Sequence, residues 1–73
     1  MESSEWLDKG NEFLEKEEYE QALDCFSKAR EINPDDAFAW RAMAVTLYEL
    51  GRHQEAKECL DKAKKLSENH DEE

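Results

Sequence analysis

Glycine occurs twice in the 73 residues, proline once, and cysteine and histidine twice each. Each scarcity removes a class of chemistry. Gly10 and Gly51 stand alone, so no glycine-rich loop cradles a phosphate. His53 and Cys59 are six apart on one expected helix and do not share a face, and His70 sits near the end of the chain; a metal needs clustered ligands, so none is expected. No Ser stands beside a plausible base, and the chain is not expected to be an enzyme or to hold a cofactor. No apolar run approaches the ~18 residues of a membrane span. Cations are also few, 10 Lys and Arg against 20 Asp and Glu, for a net charge of -10. Nucleic-acid affinity rests on Lys and Arg displacing counterions from phosphate, and anionic membranes attract the same residues; neither partner is expected. The opening residues Met1-Glu2-Ser3-Ser4-Glu5 lack the basic and apolar parts of a signal peptide. The expectation is a cytoplasmic protein with reduced thiols.

What is present is order. Charged residues make up 41%, a share that suits disorder when apolar residues are scattered. Here they are not scattered. Displacing the chain along itself until Trp6 falls on Trp40 also sets Glu15 on Glu49, Ala22 on Ala56, Cys25 on Cys59, Lys28 on Lys62 and Ala29 on Ala63. Gly10 meets Ala44, Phe13 meets Leu47, Phe26 meets Leu60 and Ile32 meets Leu66. Both tryptophans and both cysteines fall only at paired positions, so one packing arrangement is written twice.

Each unit reads as two helices. The first spans about Ser4 to Lys16, with Ser3 or Ser4 as cap. The second spans about Glu20 to Ile32, with Ala22, Cys25, Phe26, Ala29 and Ile32 at helical spacing. Asn33-Pro34 ends it, because Asn tolerates a left-handed cap and proline disfavours helix just before itself. Asp35 or Asp36 caps a third helix that runs to about Leu50, and Gly51 suits a left-handed stop. The fourth spans about Gln54 to Ser67, with Lys62, Lys64 and Lys65 placed to meet the negative end of its dipole. Residues beyond it read as frayed.

This pattern resembles the tetratricopeptide repeat, in which Trp, Leu-Gly, an aromatic, Ala, an aromatic, Ala and Pro recur at fixed intervals. Unit one supplies Trp6, Gly10, Phe13, Tyr19, Ala22, Phe26, Ala29 and Pro34; unit two supplies Trp40, Ala44, Leu47, Gly51, Ala56, Leu60 and Ala63. The resemblance implies an all-α fold, two helix-turn-helix units stacked as a short right-handed solenoid. Repeat one would cover about residues 3–36 and repeat two about 37–68, with 69–73 a disordered acidic tail. Three departures stand out. Lys9 replaces the usual Leu, His53 replaces the aromatic held by Tyr19, and Glu17 replaces a frequent Gly, so the first interhelix turn is expected to be strained or reshaped.

The third helix is apolar on most sides and is expected at the centre. The fourth has one apolar stripe, and Lys57 stands where the second has Leu23. The fourth therefore reads as a solvated end, in a chain expected to stop here. Two units fall short of the roughly three such arrays need, so marginal stability is expected, with self-association or a partner supplying further buried area.

In proteins of this family the first helix of each unit lines a concave groove for extended peptides or helices. The matching residues are Leu7, Asn11 and Leu14, then Phe38, Arg41, Val45 and Tyr48. The floor is apolar, with carboxylates nearby at Asp8, Glu15 and Glu49. That surface suits an amphipathic segment carrying Lys or Arg. The competing expectation is a structural module that pairs with its own copy. A clamp for acidic tails is not expected: Asn11 matches that set, but Leu7 and Ala42 stand where it needs Lys and Asn. Glu12, Glu15, Glu17, Glu18 and Glu20 form a run of like charge on the first unit. Raising ionic strength from about 0.01 to about 1 M shortens the screening length from about 30 to 3 Å, so the melting temperature rises over that range; a flat or falling Tm in circular dichroism melts would contradict the repulsion.

Overall fold

The structure is a computed structural model and describes residues 2–71. Four helices follow one another: α1 Ser3–Glu15, α2 Tyr19–Ile32, α3 Ala37–Glu49 and α4 His53–Asp71. Each packs on its chain neighbours, α1 on α2, α2 on α3 and α3 on α4. The architecture is all-α, two helical hairpins stacked as a short solenoid. Its thinnest dimension is 17 Å, room for two helix layers at the usual spacing of about 8–10 Å.

The helix ends follow local chemistry, with some differences from expectation. Glu2, not Ser3 or Ser4, precedes the first turn of α1, and its N–H donates to Glu5 Oε1 at 3.0 Å. Glu5 thus reaches back as the acidic member of a capping box does. Asn33 is not left-handed. It takes φ -136° and ψ 81°, the extended conformation that the ring of Pro34 imposes on its predecessor. Asp36 caps α3, accepting from the Phe38 N–H at 3.0 Å. α4 continues to Asp71, past the expected end at Ser67. Lys62, Lys64 and Lys65 are therefore interior to the helix, and Lys62 stands over the Trp40 ring, 5.8 Å from its centroid. Of the tail expected to be disordered, 69–71 belong to α4 and 72–73 lie outside the described residues.

The two interhelix turns are copies. Gly51 turns with φ 83°, and Glu17, its counterpart in the first unit, with φ 62°. Glycine enters that region freely, whereas a Cβ is crowded there by about 1–2 kcal/mol. The strain expected at Glu17 is present.

The core is built mainly from small residues. Ala22, Ala29 and Ala39 are fully buried, and Ala44, Ala56, Ala63, Cys25 and Cys59 nearly so. Phe26 and Thr46 are the largest fully buried side chains. Phe26 fits because Gly10 lacks a side chain: a Cβ at Gly10 would come within 2.7 Å of the ring's Cζ. Thr46 meets its polar demand within its own helix, its hydroxyl donating to the Ala42 carbonyl at 2.8 Å. Both tryptophans repeat one arrangement, with Lys28 5.6 Å from the Trp6 ring and Lys62 in the same relation to Trp40. Trp40 adds a hydrogen bond from its indole N–H to the Pro34 carbonyl at 2.9 Å and the guanidinium of Arg30 at 5.1 Å. It thereby ties the junction between hairpins to α3.

These contacts give signs and magnitudes for urea denaturation. Glu17→Gly stabilises by about 1 kcal/mol. Gly51→Ala costs about 1 kcal/mol through conformation alone, since nothing lies within 4 Å of its Cβ direction. Gly10→Ala costs about 1–3 kcal/mol by overpacking against Phe26. Equal effects of the two alanine substitutions would rule out the Gly10–Phe26 contact as the source of the difference.

Candidate interaction site

The residues singled out above fall on equivalent faces of α1 and α3. On α1, Leu7 and Leu14 are half-buried against the core and Asn11 is exposed. On α3, Phe38, Val45 and Tyr48 remain 55%, 46% and 64% exposed, and Arg41 between them is exposed as well. Positions 38, 41, 45 and 48 lie on one side of a helix, away from Ala39, Ala42, Met43 and Thr46, which are buried. α3 is therefore central, as expected, yet it keeps an uncovered apolar flank of three large side chains. An exposed single apolar residue is ordinary, whereas three on one helix face are a candidate interaction surface.

A cleft of about 410 Å³ adjoins this flank between α3 and α4. Ala44, Val45, Tyr48, Glu49, His53, Ala56, Lys57 and Leu60 line it. Tyr48 and His53 stack across the turn, ring centroids 4.6 Å apart at 21°. Leu60, on the opposite wall, is 51% exposed. Val45 and Tyr48 thus serve both the flank and the cleft. Helical periodicity does not mark His53, Lys57 and Leu60 as site residues. The signal for them lies in the comparison of the two units, where Leu60 replaces Phe26 and Lys57 replaces Leu23.

The thiols are not part of this surface. Cys25 and Cys59 are both buried and unbonded to each other. Burial raises each thiol above its ordinary pKa, against a lowering influence from Lys9 on Cys25 and from Arg30 on Cys59. Such thiols are poor nucleophiles, since reactivity needs the thiolate. Among the described residues no group of three or more His, Cys, Asp or Glu is placed to hold a metal ion. None of the described helices is long and apolar enough to cross a membrane.

The repeat and the four stacked helices agree with the matches to known families. A TPR repeat model matches residues 10–51 and a tetratricopeptide repeat model matches residues 37–70. The chain belongs to the tetratricopeptide repeat family, whose helical hairpins form a non-catalytic fold that mediates protein–protein interaction. Over 52 residues, 71% of this chain and 60% of the other, it is 47% identical to an uncharacterized protein of Methanocaldococcus jannaschii. It is 37% identical over 54 residues to the peroxisomal targeting signal receptor of Candida albicans, covering 74% of this chain and 9% of the receptor. It is also 30% identical over 63 residues to a TPR repeat-containing protein of M. jannaschii, 86% of this chain and 11% of that protein. The chain therefore spans less than two thirds of each of these relatives.

The raised thiol pKa values give a pH dependence with a definite sign. A thiol whose pKa is higher in the fold than in the unfolded chain holds its proton longer when folded. Its contribution is complete below the unfolded value of about 8.5 and is lost as pH climbs through the folded value. Tyr19 adds in the same direction, its phenol raised by desolvation and then by the carboxylates of Glu49 and Glu17. The melting temperature accordingly falls as pH rises above about 8.5, with the Tyr19 share entering only above about pH 10, and the Cys25→Ala/Cys59→Ala double variant falls less steeply between pH 8 and pH 10. Identical slopes for the two proteins would show that the thiols do not contribute.

Proposed function

We propose that this chain is a scaffold module that takes an amphipathic, basic peptide or helix across the aligned faces of α1 and α3, in the groove its family uses. The two repeats, about residues 3–36 and 37–68, act as one domain. Leu7, Leu14, Phe38, Val45 and Tyr48 form the apolar floor, and Asn11 and Arg41 supply hydrogen bonds to the ligand backbone. The exposure of Phe38, Val45 and Tyr48 on one helical face is the observation that carries this reading. The net charge of -10 favours a cationic ligand. A match to proteins named as receptors for a targeting signal fits recognition of a short segment. The surface is a binding one without catalysis, and the composition suits a cytoplasmic setting.

Titrating fluorescein-labelled amphipathic Lys-rich peptides into the protein tests this by anisotropy. Phe38→Ala weakens binding about tenfold, the loss expected for roughly half a buried aromatic side chain. Its own stability stays within about 0.5 kcal/mol, as for other exposed substitutions. Added salt weakens binding further if the carboxylates steer the ligand. A Phe38→Ala protein that binds every such peptide as the parent does would remove the groove from consideration. The same exposed residues also fit a homo-oligomer. Light scattering separates the two: a mass that doubles with concentration, and reverts in Phe38→Ala, favours self-pairing over a foreign ligand.

A further inference from the structure

Positions 40, 43 and 47 of α3 lie on the side of that helix opposite to 38, 41, 45 and 48. α2 and α4 each pack on α3, and a hollow of about 340 Å³ remains between them. Trp40, Met43 and Leu47 form its floor, with Leu23 from α2 completing the apolar part. None of its residues belongs to the flank of α3 or to the cleft beside Tyr48. A hollow of this size is at the small end of ligand pockets. It is too small for a helix, which is about 10 Å across, and has room for a body about the size of an aromatic side chain.

Arg30 gives the hollow its chemistry. Its counterpart in unit two, Lys64, is exposed, whereas Arg30 is half-buried with its guanidinium 5.1 Å from the Trp40 ring centroid. Its Nε–H is buried and has no hydrogen-bond partner. Among the described residues no carboxylate forms an ion pair with it; the ion pair that lines the hollow joins Arg52 Nε to Glu55 Oε1 at 2.6 Å. A buried donor left without an acceptor is a standing deficit, and a guanidinium meets a carboxylate in a fork of two parallel bonds. Glu58 also lines the hollow and leaves it with no net charge, since Arg30 and Arg52 face Glu55 and Glu58. The Cys59 thiol beside Glu58 is raised chiefly by burial, lowered by Arg30 and raised by Glu58, so both charges bear on the same space.

We propose that this hollow is a binding site for a small organic monocarboxylate with an apolar or aromatic body. The carboxylate takes the unpaired edge of Arg30, and the body lies on Leu23, Met43 and Leu47. A single unpaired cation accommodates a single negative charge, and Glu58 opposes a second, so di- and tricarboxylates and phosphate esters are disfavoured. The Trp40 indole N–H stays on the Pro34 carbonyl and holds the floor in place.

The test titrates hydrocinnamate into the full protein and follows the Arg30 side-chain Nε–H resonance by NMR. A saturable shift is expected. Hydrocinnamide, the neutral amide of the same shape, binds at least about tenfold more weakly, the loss expected when a charged hydrogen-bonded pair becomes a neutral one. Arg30→Met, followed on the backbone amides of α2 and α4, loses about as much. Glu58→Gln removes the opposing carboxylate and tightens binding, a gain that misfolding cannot mimic. Phe38→Ala leaves this binding unchanged, so its outcome is independent of the groove. Absence of saturation, equal affinity for hydrocinnamide, or Arg30→Met and Glu58→Gln proteins that both bind as the parent does would overturn the proposal.

Discussion

The structure depends on how closely helices can approach one another when small residues stand between them. Gly10 offers no side chain, so the Phe26 ring occupies the space its Cβ would fill. Ala22, Ala29, Ala39, Ala44, Ala56 and Ala63 do the same at the other crossings, each buried almost completely. A core of this kind gains less from each residue than one of Leu and Phe, because transfer free energy follows apolar area. Its stability comes from many short contacts spread along a two-layer stack. That explains how a chain with a net charge of -10 still encloses a core.

A repeated sequence does not give repeated surroundings. Unit one has α3 against its outer side, and unit two has open space there. The same position thus holds a fully buried Phe26 in one unit and a half-exposed Leu60 in the other. The substitutions follow that difference: Leu23 becomes Lys57, Tyr19 becomes His53, and Gly10 becomes Ala44 opposite a smaller partner. At the other end, α1 turns Glu5, Asp8, Lys9 and Glu12 to water where α3 turns apolar residues inward. The first helix thus presents charge where the third presents apolar side chains, and Leu60 of the last hairpin stays half-exposed. The uncovered flank of α3 and the cleft beside it share Val45 and Tyr48, so the two surfaces meet at one edge of the central helix.

Much of this is legible in the sequence because the repeat multiplies weak signals. One alanine on a helix says little, but Ala22 with Ala56 and Ala29 with Ala63 in phase with Trp6 and Trp40 identify a packing scheme. The left-handed turn at Gly51 and its strained copy at Glu17 are readable from their equivalent places. Helix ends are less legible. Glu2 competes with two serines for the first cap, and Pro34 overrides the left-handed tendency of Asn33. The end of α4 escapes a sequence reading because no proline or glycine follows Ser67 to stop it. The reach of Lys62 and Arg30 to one indole needs three helices in place.

By itself the sequence determined four helices, their pairing into two like hairpins and the small residues at the crossings. Those follow from periodicity and from side-chain size, which are local properties. The tertiary structure alone decided which copy of each repeated residue is covered. Burial depends on what lies across an interface, and the stacking of α3 on unit one closes a surface whose twin between α3 and α4 stays open.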